Sequence, residues 1–504
     1  MNKSVIIVGA GISGLSAGCY AQMNGFNTTI YESNTIPGGL CTAWERKGFK
    51  FDTSMQMLTA SSSGPLNKMW KELGVVQNFN FHYHDPALKV EGSGHNLIFS
   101  NDKKRMENEM LAISPKDAPV IREYIELIFG HDLMKTASLK PYELQTIFDR
   151  LKVFPYVLRL VPNYIKYKST TIQDFARSFK HPFLRDAVRF FIDAPGWPMP
   201  KFPLALMSGF MKSSVAEAGT PLGGSQMVVS HIAKMFIELG GKFKYECQAT
   251  NLIIENETVK GIVLDDGTEN RADYVIWAGD GHSLIFDILE GKYLDDKIRN
   301  MYFNWIPVRP LVQVMIGVDR DLSEEPRRII LQTDEPIIFA GEEHKWLTVI
   351  HHCFDKTKAP AGKSVVEVWY DTDYEYWEVL SKHNEEYVDE KQRIADYTIA
   401  QLEKRWPGFS AQVEVIDVPT PATYNSFTGN WKGSPDGWYI TSENWSDNRP
   451  LRNLPGLQGL YMAGHWTAPF TGTVIAAMSG RQITQLICRK EGRSFKTNSI
   501  EKMS

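Results

Sequence analysis

From Ser4 to Tyr31 the chain carries no charged side chain, and this run constrains the fold more than any other feature. Its length would suit a leader or a membrane span, but its internal punctuation fits neither. Val5-Ile6-Ile7-Val8 is a short run of branched residues, after which Gly9, Gly11 and Gly14 interrupt. Asn24-Gly25 closes the helical stretch that follows, and Thr28–Tyr31 makes a second short run that ends at Glu32. A strand–turn–helix–strand unit with strands buried on both faces would show this lack of charge. No other stretch is long and apolar enough to suggest a span.

Gly9-Ala10-Gly11-Ile12-Ser13-Gly14 places GxGxxG at the predicted strand-to-helix turn. The glycines allow a tight turn, close backbone approach to a pyrophosphate, and close packing of helix on strand. The helix N-terminus supplies free N–H groups and partial positive charge for phosphates. Glu32, 18 residues beyond Gly14, stands where a carboxylate accepts hydrogen bonds from ribose hydroxyls. GxGxxG alone is weak, since glycines recur in ordinary turns. With strand, helix and acid in place it predicts a dinucleotide site.

The length of 504 residues implies several domains, or a few split in sequence. A net charge of −4 argues against a globally cationic nucleic-acid binder. Five scattered cysteines (Cys19, Cys41, Cys247, Cys353, Cys488) form neither a disulfide framework nor a zinc motif, and a reducing, cytoplasmic setting is expected. His351-His352 lacks a ligating partner at helical spacing, so no metal is expected. Aromatic residues make up 12% of the chain, which suggests large apolar surfaces in the core or around an apolar ligand.

After Glu32 come Pro37-Gly38-Gly39-Leu40-Cys41-Thr42 and Gly48-Phe49-Lys50-Phe51-Asp52-Thr53. Further on lie Gly219–Ser225, the hairpin-like Gln248–Leu252 and Val259–Gly267, and Ala272–Gly279. Near the end are Leu460–His465 and Thr471–Arg481. In these segments, covering most of 1–60, 215–290 and 455–485, the chain resembles the FAD-dependent family of phytoene desaturases, retinol saturase and carotenoid isomerase, within the flavin amine oxidase superfamily. The resemblance implies an α/β fold: a discontinuous Rossmann-like FAD-binding domain, an inserted α+β substrate domain and a helical cap. The expected division is 1–85, 215–299 and 446–504 for the FAD domain with its C-terminal tail, 86–214 for the cap, and 300–445 for the substrate domain.

The resemblance implies FAD as cofactor. By position in its motifs, the expected contacts are Gly9, Gly11, Ser13, Gly14, Glu32, Ser33, Gly38, Gly39, Leu40, Ala249, Ala278, Gly279, Gly464, His465, Thr473, Val474 and Ile475. In the family the strand near Ala249 holds the adenine by its backbone, and the helix after the last box points at the isoalloxazine. Two departures matter. His465 stands where many relatives carry an acid, and Leu40 stands where amine oxidases usually carry Arg. A second GxGxxG after a strand is absent, which argues against a separate NADPH domain.

Within the cap region, Lys152, Arg159 and Lys166 fall seven apart, so on a helix they would share one face. Pro155 and Pro162 should kink or break that helix. From Arg150 to Phe190 nine basic residues face two acids, so peripheral contact with anionic lipid through 150–190 stands beside a packed cap with a solvated basic face. Strands are expected at Val312–Gly317 and Val365–Tyr370, and a helix at Asn384–Trp406. The stretch from Thr420 to Gly433 is similar to a segment just before the final flavin box in retinol saturase and carotenoid isomerase relatives.

No triad or carboxylate pair stands out, and the catalytic residue stays open with His465 as a weak candidate. The expected activity is hydride exchange at flavin N5 with a C–C or C=C bond of a lipophilic, polyene-like substrate, as in a desaturase, saturase or isomerase. A flavin amine oxidase with Trp466 or Tyr424 in an aromatic cage is one alternative. A non-catalytic escort protein binding prenylated partners on the same fold is another.

Overall fold

The computed structural model describes residues 3–445, 449–469 and 472–497. Thr471 of the final box and the end of the C-terminal tail lie outside the described residues. At the centre of the nucleotide half is a five-stranded parallel sheet, ordered Leu460–Met462, Tyr274–Trp277, Ser4–Val8, Asn27–Tyr31, Lys242–Lys244. Ser4–Val8 is the middle strand, with Val5 beside both Tyr274 and Thr28, so segments far apart in sequence close one sheet. Burial of Val5, Ile6 and Ile7 explains the uncharged start of the chain.

The helix Ile12–Met23 packs against Ser225–Glu238 and Thr473–Lys490. Glycine makes the second contact close: a Cβ on Gly480 would lie 2.3 Å from the Ser13 carbonyl oxygen and 2.7 Å from the Ala17 nitrogen. An antiparallel meander, Ala249–Glu255, Thr258–Leu264 and Glu269–Arg271, stands beside this sheet.

A second sheet has seven strands, ordered Val413–Asp417, Leu311–Val318, Ser364–Asp371, Glu342–His351, Arg328–Phe339, Leu88–Gly92, His95–Phe99. Leu311–Val318 is buried along its whole length and is apolar except at Gln313. The helix Asn384–Arg405 packs Ile394, Ala395 and Leu402 into the same core. The last two strands of the sheet come from the segment expected to be a helical cap. Leu88–Gly92 runs parallel to Arg328–Phe339, and its Leu88 and Val90 share a core with Met106, Ile125, Phe190 and Trp346. Cap and sheet are therefore joined by a shared apolar core.

Pro155 and Pro162 do not break the cap's longest helix, Ile147–Tyr167, which contains both. The capping box of Thr146 and Asp149 starts it. Each proline frees the carbonyl four residues earlier, at Leu151 and Leu158; both residues are 58% exposed, so water can take the place of the missing donors. Only Tyr167 of this helix is buried.

Candidate active site

One large cavity of about 960 Å3 runs from the first βα turn to the second sheet. At its nucleotide end Gly9 has φ +97° and donates its N–H to the Tyr31 carbonyl at 2.8 Å. A Cβ on Gly14 would sit 2.0 Å from the Gly9 oxygen, so this glycine sets how closely helix meets turn. A Cβ on Gly11 would meet nothing within 4 Å, because it would project into the cavity. The helix starting at Ile12 has no side-chain cap, which leaves its first N–H groups for a ligand. Gly38 bonds the Ala10 carbonyl through its N–H at 2.9 Å, bringing the Gly38-Gly39 turn against the same motif.

Glu32 is buried and fixed in place. Its Oε2 accepts the Ala10 N–H at 2.7 Å, and its Oε1 accepts from the Asn34 backbone at 2.9 Å and the Asn34 amide at 3.1 Å. The cavity wall also includes Ser13, Ser33, Leu40, Ala249, Ala278 and Gly279. From the C-terminal box come Gly464, His465, Thr473 and Val474. Gly14 and Ile475 stand behind the wall: Gly14 packs on the turn, and Ile475 joins the core under the first sheet.

The helix Thr473–Lys490 also begins without a side-chain cap, at Gly472, whose N–H is donated to Asp436 Oδ2 at 2.8 Å. His465 lies 3.9 Å from Asp436 Oδ1, too far for a hydrogen bond, and burial lowers its pKa to about 4. It is therefore a neutral imidazole at neutral pH.

Sequence reasoning missed several residues of this cavity. Asp280 directly follows the Ala272–Gly279 box; burial raises its pKa to about 6, opposed by N–H donors from Ser283 at 2.7 Å and Trp431 at 2.9 Å. Two acceptor bonds to one buried carboxylate were not visible in a linear pattern. Arg327 and Arg328 line the far end, Arg328 opening a strand that pairs it with Ile350 and Arg327 just before it. Glu367 is buried there, accepting from His352 Nε2 at 2.8 Å, Gln56 Nε2 at 3.1 Å and Trp369 Nε1 at 3.1 Å. His351 and His352, read as a pair from the sequence, diverge: His351 Nε2 lies 3.0 Å from the Glu325 carbonyl.

A family profile described as flavin containing amine oxidoreductase matches residues 12–488. The chain belongs to the flavin-containing amine oxidoreductase family. Within it, the chain is similar to a chloroplastic prolycopene isomerase of Daucus carota, 24% identical, covering 94% of this chain and 78% of the relative. It is also similar to a lycopene-forming phytoene desaturase of a Paracoccus species, 22% identical over 96% of this chain and 97% of the relative. Among solved structures, cyclohexylamine oxidase from Brevibacterium oxydans shares the fold with TM-score 0.62, at 15% identity, over 98% of this chain and 100% of that one.

As a member of this family the protein is an FAD-dependent oxidoreductase. The cavity fits that cofactor. It is long, its motif helix and C-terminal helix both present uncapped N-termini, and Gly11 leaves open the space a side chain would fill.

Proposed function

We propose that this family member exchanges hydride with a C–C or C=C bond of a lipophilic, polyene-like substrate seated in the far half of the cavity. The observation that carries this reading is the wall itself. Met55, Phe191, Ile192, Trp197, Phe210 and Leu311 line it. Glycines 9, 11, 38, 39 and 464 would give the cofactor its backbone surface, Glu32 would take the ribose, and the helix begun at Thr473 would stand at the flavin end. When bound there, FAD supplies hydride exchange at N5. The chain's own residues do the rest: aromatic walls position the apolar chain and exclude water.

The amine oxidase alternative loses ground on Leu40 and on the two arginines in the cavity, whose charge repels an ammonium. An escort role without catalysis would have no use for the fixed Glu32 carboxylate or the open Gly11 surface. The test is the visible spectrum of the purified protein, followed anaerobically while polyenes, amines and NAD(P)H are added in turn. A polyene-class compound is expected either to bleach the oxidised flavin by giving it hydride or, with the flavin reduced beforehand, to restore the band by accepting hydride. Bleaching by amines alone, or a colourless protein, would overturn the reading.

Such a substrate dissolves in lipid, and the helix Ile147–Tyr167 supports a peripheral membrane contact that delivers it. Ile147, Leu151, Phe154, Leu158, Val161 and Ile165 form an exposed stripe at alternating four- and three-residue spacing. Exposed Lys152 and Arg159 flank it. The opposite face is anchored by Tyr167 to Glu123 at 2.7 Å and by Asn163 to Ser208 at 3.2 Å. Among the described residues no helix is long and apolar enough to cross a membrane.

A further inference from the structure

Arg327 and Arg328 both line the cavity. Arg328 makes no side-chain hydrogen bond or ion pair among the described residues, and its Nε is buried without a partner. The Nε of Arg327 is orphaned in the same way; one of its terminal nitrogens donates to Gln56 Oε1, and the guanidinium lies 5.5 Å from the centre of the Phe354 ring. The acid whose charge reaches Arg327 is Glu367, whose carboxylate is already committed to His352, Gln56 and Trp369. Arg327 therefore feels one carboxylate without a direct bond to it, and Arg328 has no acid bonded to it among the described residues.

Such an arrangement is costly for the protein alone. Burial lowers the pKa of each guanidinium to about 10, and for Arg327 the charge of Glu367 opposes this while Arg328 adds to it. Both remain protonated at neutral pH, so charge is retained where solvation is poor. A guanidinium presents a planar fork of donors that matches a carboxylate. The wall nearby is apolar, with Trp369, Ile350 and Leu311.

We infer that the substrate is amphipathic, a polyene-like chain ending in a carboxylate that Arg327 and Arg328 receive. This rests on the reading of the cavity as the seat of a lipophilic substrate, and narrows it. A pure hydrocarbon would leave both Nε donors unsatisfied, and an amine would add a third positive charge.

The test uses the holoenzyme with oxidised flavin and two probes of one shape, all-trans-retinoic acid and its methyl ester, with binding read from the perturbed flavin spectrum. The acid should bind at least about tenfold more tightly than the ester, the scale of one charge-assisted recognition. Arg328→Met and Arg327→Met should each erase most of that preference while ester affinity and FAD content stay as in the wild type. Arg328→Lys, which keeps charge but loses the fork, should fall between and covers the case of a methionine variant that does not fold. Equal binding of acid and ester, failure of the acid to bind, a preference that survives both methionine variants, or loss of FAD from them would overturn the proposal; the last would place the arginines in the cofactor site. Acid-selective binding with neither bleaching of the oxidised flavin nor recovery of the reduced flavin's band by any polyene would instead sink the redox reading and leave this one standing.

Discussion

Lys358 Nζ lies 2.8 Å from Asp52 Oδ2, a buried ion pair between residues 306 positions apart. Asp52 also receives the Ser225 backbone N–H at 2.7 Å and the Ser225 hydroxyl, so one carboxylate caps the helix Ser225–Glu238 and fixes a loop of the second sheet. Gly224 leaves the room this requires: a Cβ there would sit 2.3 Å from Asp52 Oδ2. The two halves that enclose the cavity are held together at this point.

Asp52→Asn should leave the Lys358 ammonium buried and unpaired, at a cost of about 3–5 kcal/mol in urea unfolding. Adding Lys358→Met should restore much of the loss. Burial pushes the Asp52 pKa up, but the Lys358 charge and the hydrogen bonds from Lys358 and Ser225 outweigh it, and the net value lies below the ordinary 3.8. The stability from this depressed pKa is thus present above 3.8 and is lost as pH falls toward the folded-state value. The gap between wild type and variant should narrow only in that acidic range.

Two glycines of one motif should respond differently to alanine. Gly14→Ala places a methyl 2.0 Å from the Gly9 oxygen, which the turn cannot absorb, so the fold itself should be damaged. Gly11 has φ −66° and ψ 174°, which alanine adopts freely, and no atom blocks its Cβ. Gly11→Ala should therefore keep the unfolding midpoint of the cofactor-free protein while losing most bound FAD. Equal loss of stability in both variants would contradict this division of roles.

The nucleotide half was legible because each of its demands leaves a local mark. Burial on both faces removes charge from Ser4–Tyr31, close approach needs Gly9, Gly11 and Gly14, and ribose needs an acid such as Glu32. The far half leaves weaker marks. Arg328–Phe339 holds Gln332, Asp334 and Glu335 in mid-strand because its register shifts between Gln332 and Ile337, so alternation fails there. Leu88–Gly92 is fixed by pairing with a strand over 200 residues later, which no local window reports. Arg327 and Arg328, at the start of that later strand, carry no local motif that marks them as cavity residues. Pro155 and Pro162 misled because the freed carbonyls of Leu151 and Leu158 lie on exposed residues, where water can replace the lost donors and the helix continues.

His465 borders the cavity, and burial lowers its pKa to about 4. The imidazole is thus neutral throughout the range in which flavin turnover is measured. His465→Gln should change turnover by a constant factor between about pH 6 and 9, with no new inflection. The stability profile should differ. The unfolded chain protonates near the ordinary 6.5, so the wild type loses stability as pH falls from there to about 4, by up to about 3 kcal/mol. The glutamine variant should lack that component. A turnover inflection near pH 6.5 that vanishes with the substitution would assign His465 a proton-transfer role instead.

The exposed stripe on Ile147–Tyr167 makes a quantitative demand. Ile147 is 70% exposed, Ile165 65% and Phe154 56%, an arrangement that costs free energy in water and gains it in lipid. Each large side chain transferred is worth about 1.5–3 kcal/mol, and each basic residue near an anionic surface about 1 kcal/mol. Phe154→Ser with Leu158→Ser should weaken binding to phosphatidylserine-containing vesicles by well over about tenfold. Lys152→Gln with Arg159→Gln should weaken it less, and by an amount that added salt reproduces in the wild type. Because these side chains face away from the core, the unfolding midpoint should stay unchanged in both variants. Turnover of a polyene supplied in vesicles should then fall with binding, while turnover of the same polyene in detergent should not. Co-sedimentation at several salt concentrations decides the matter, since a cap that only packs on the flavin domain would show no vesicle binding at all.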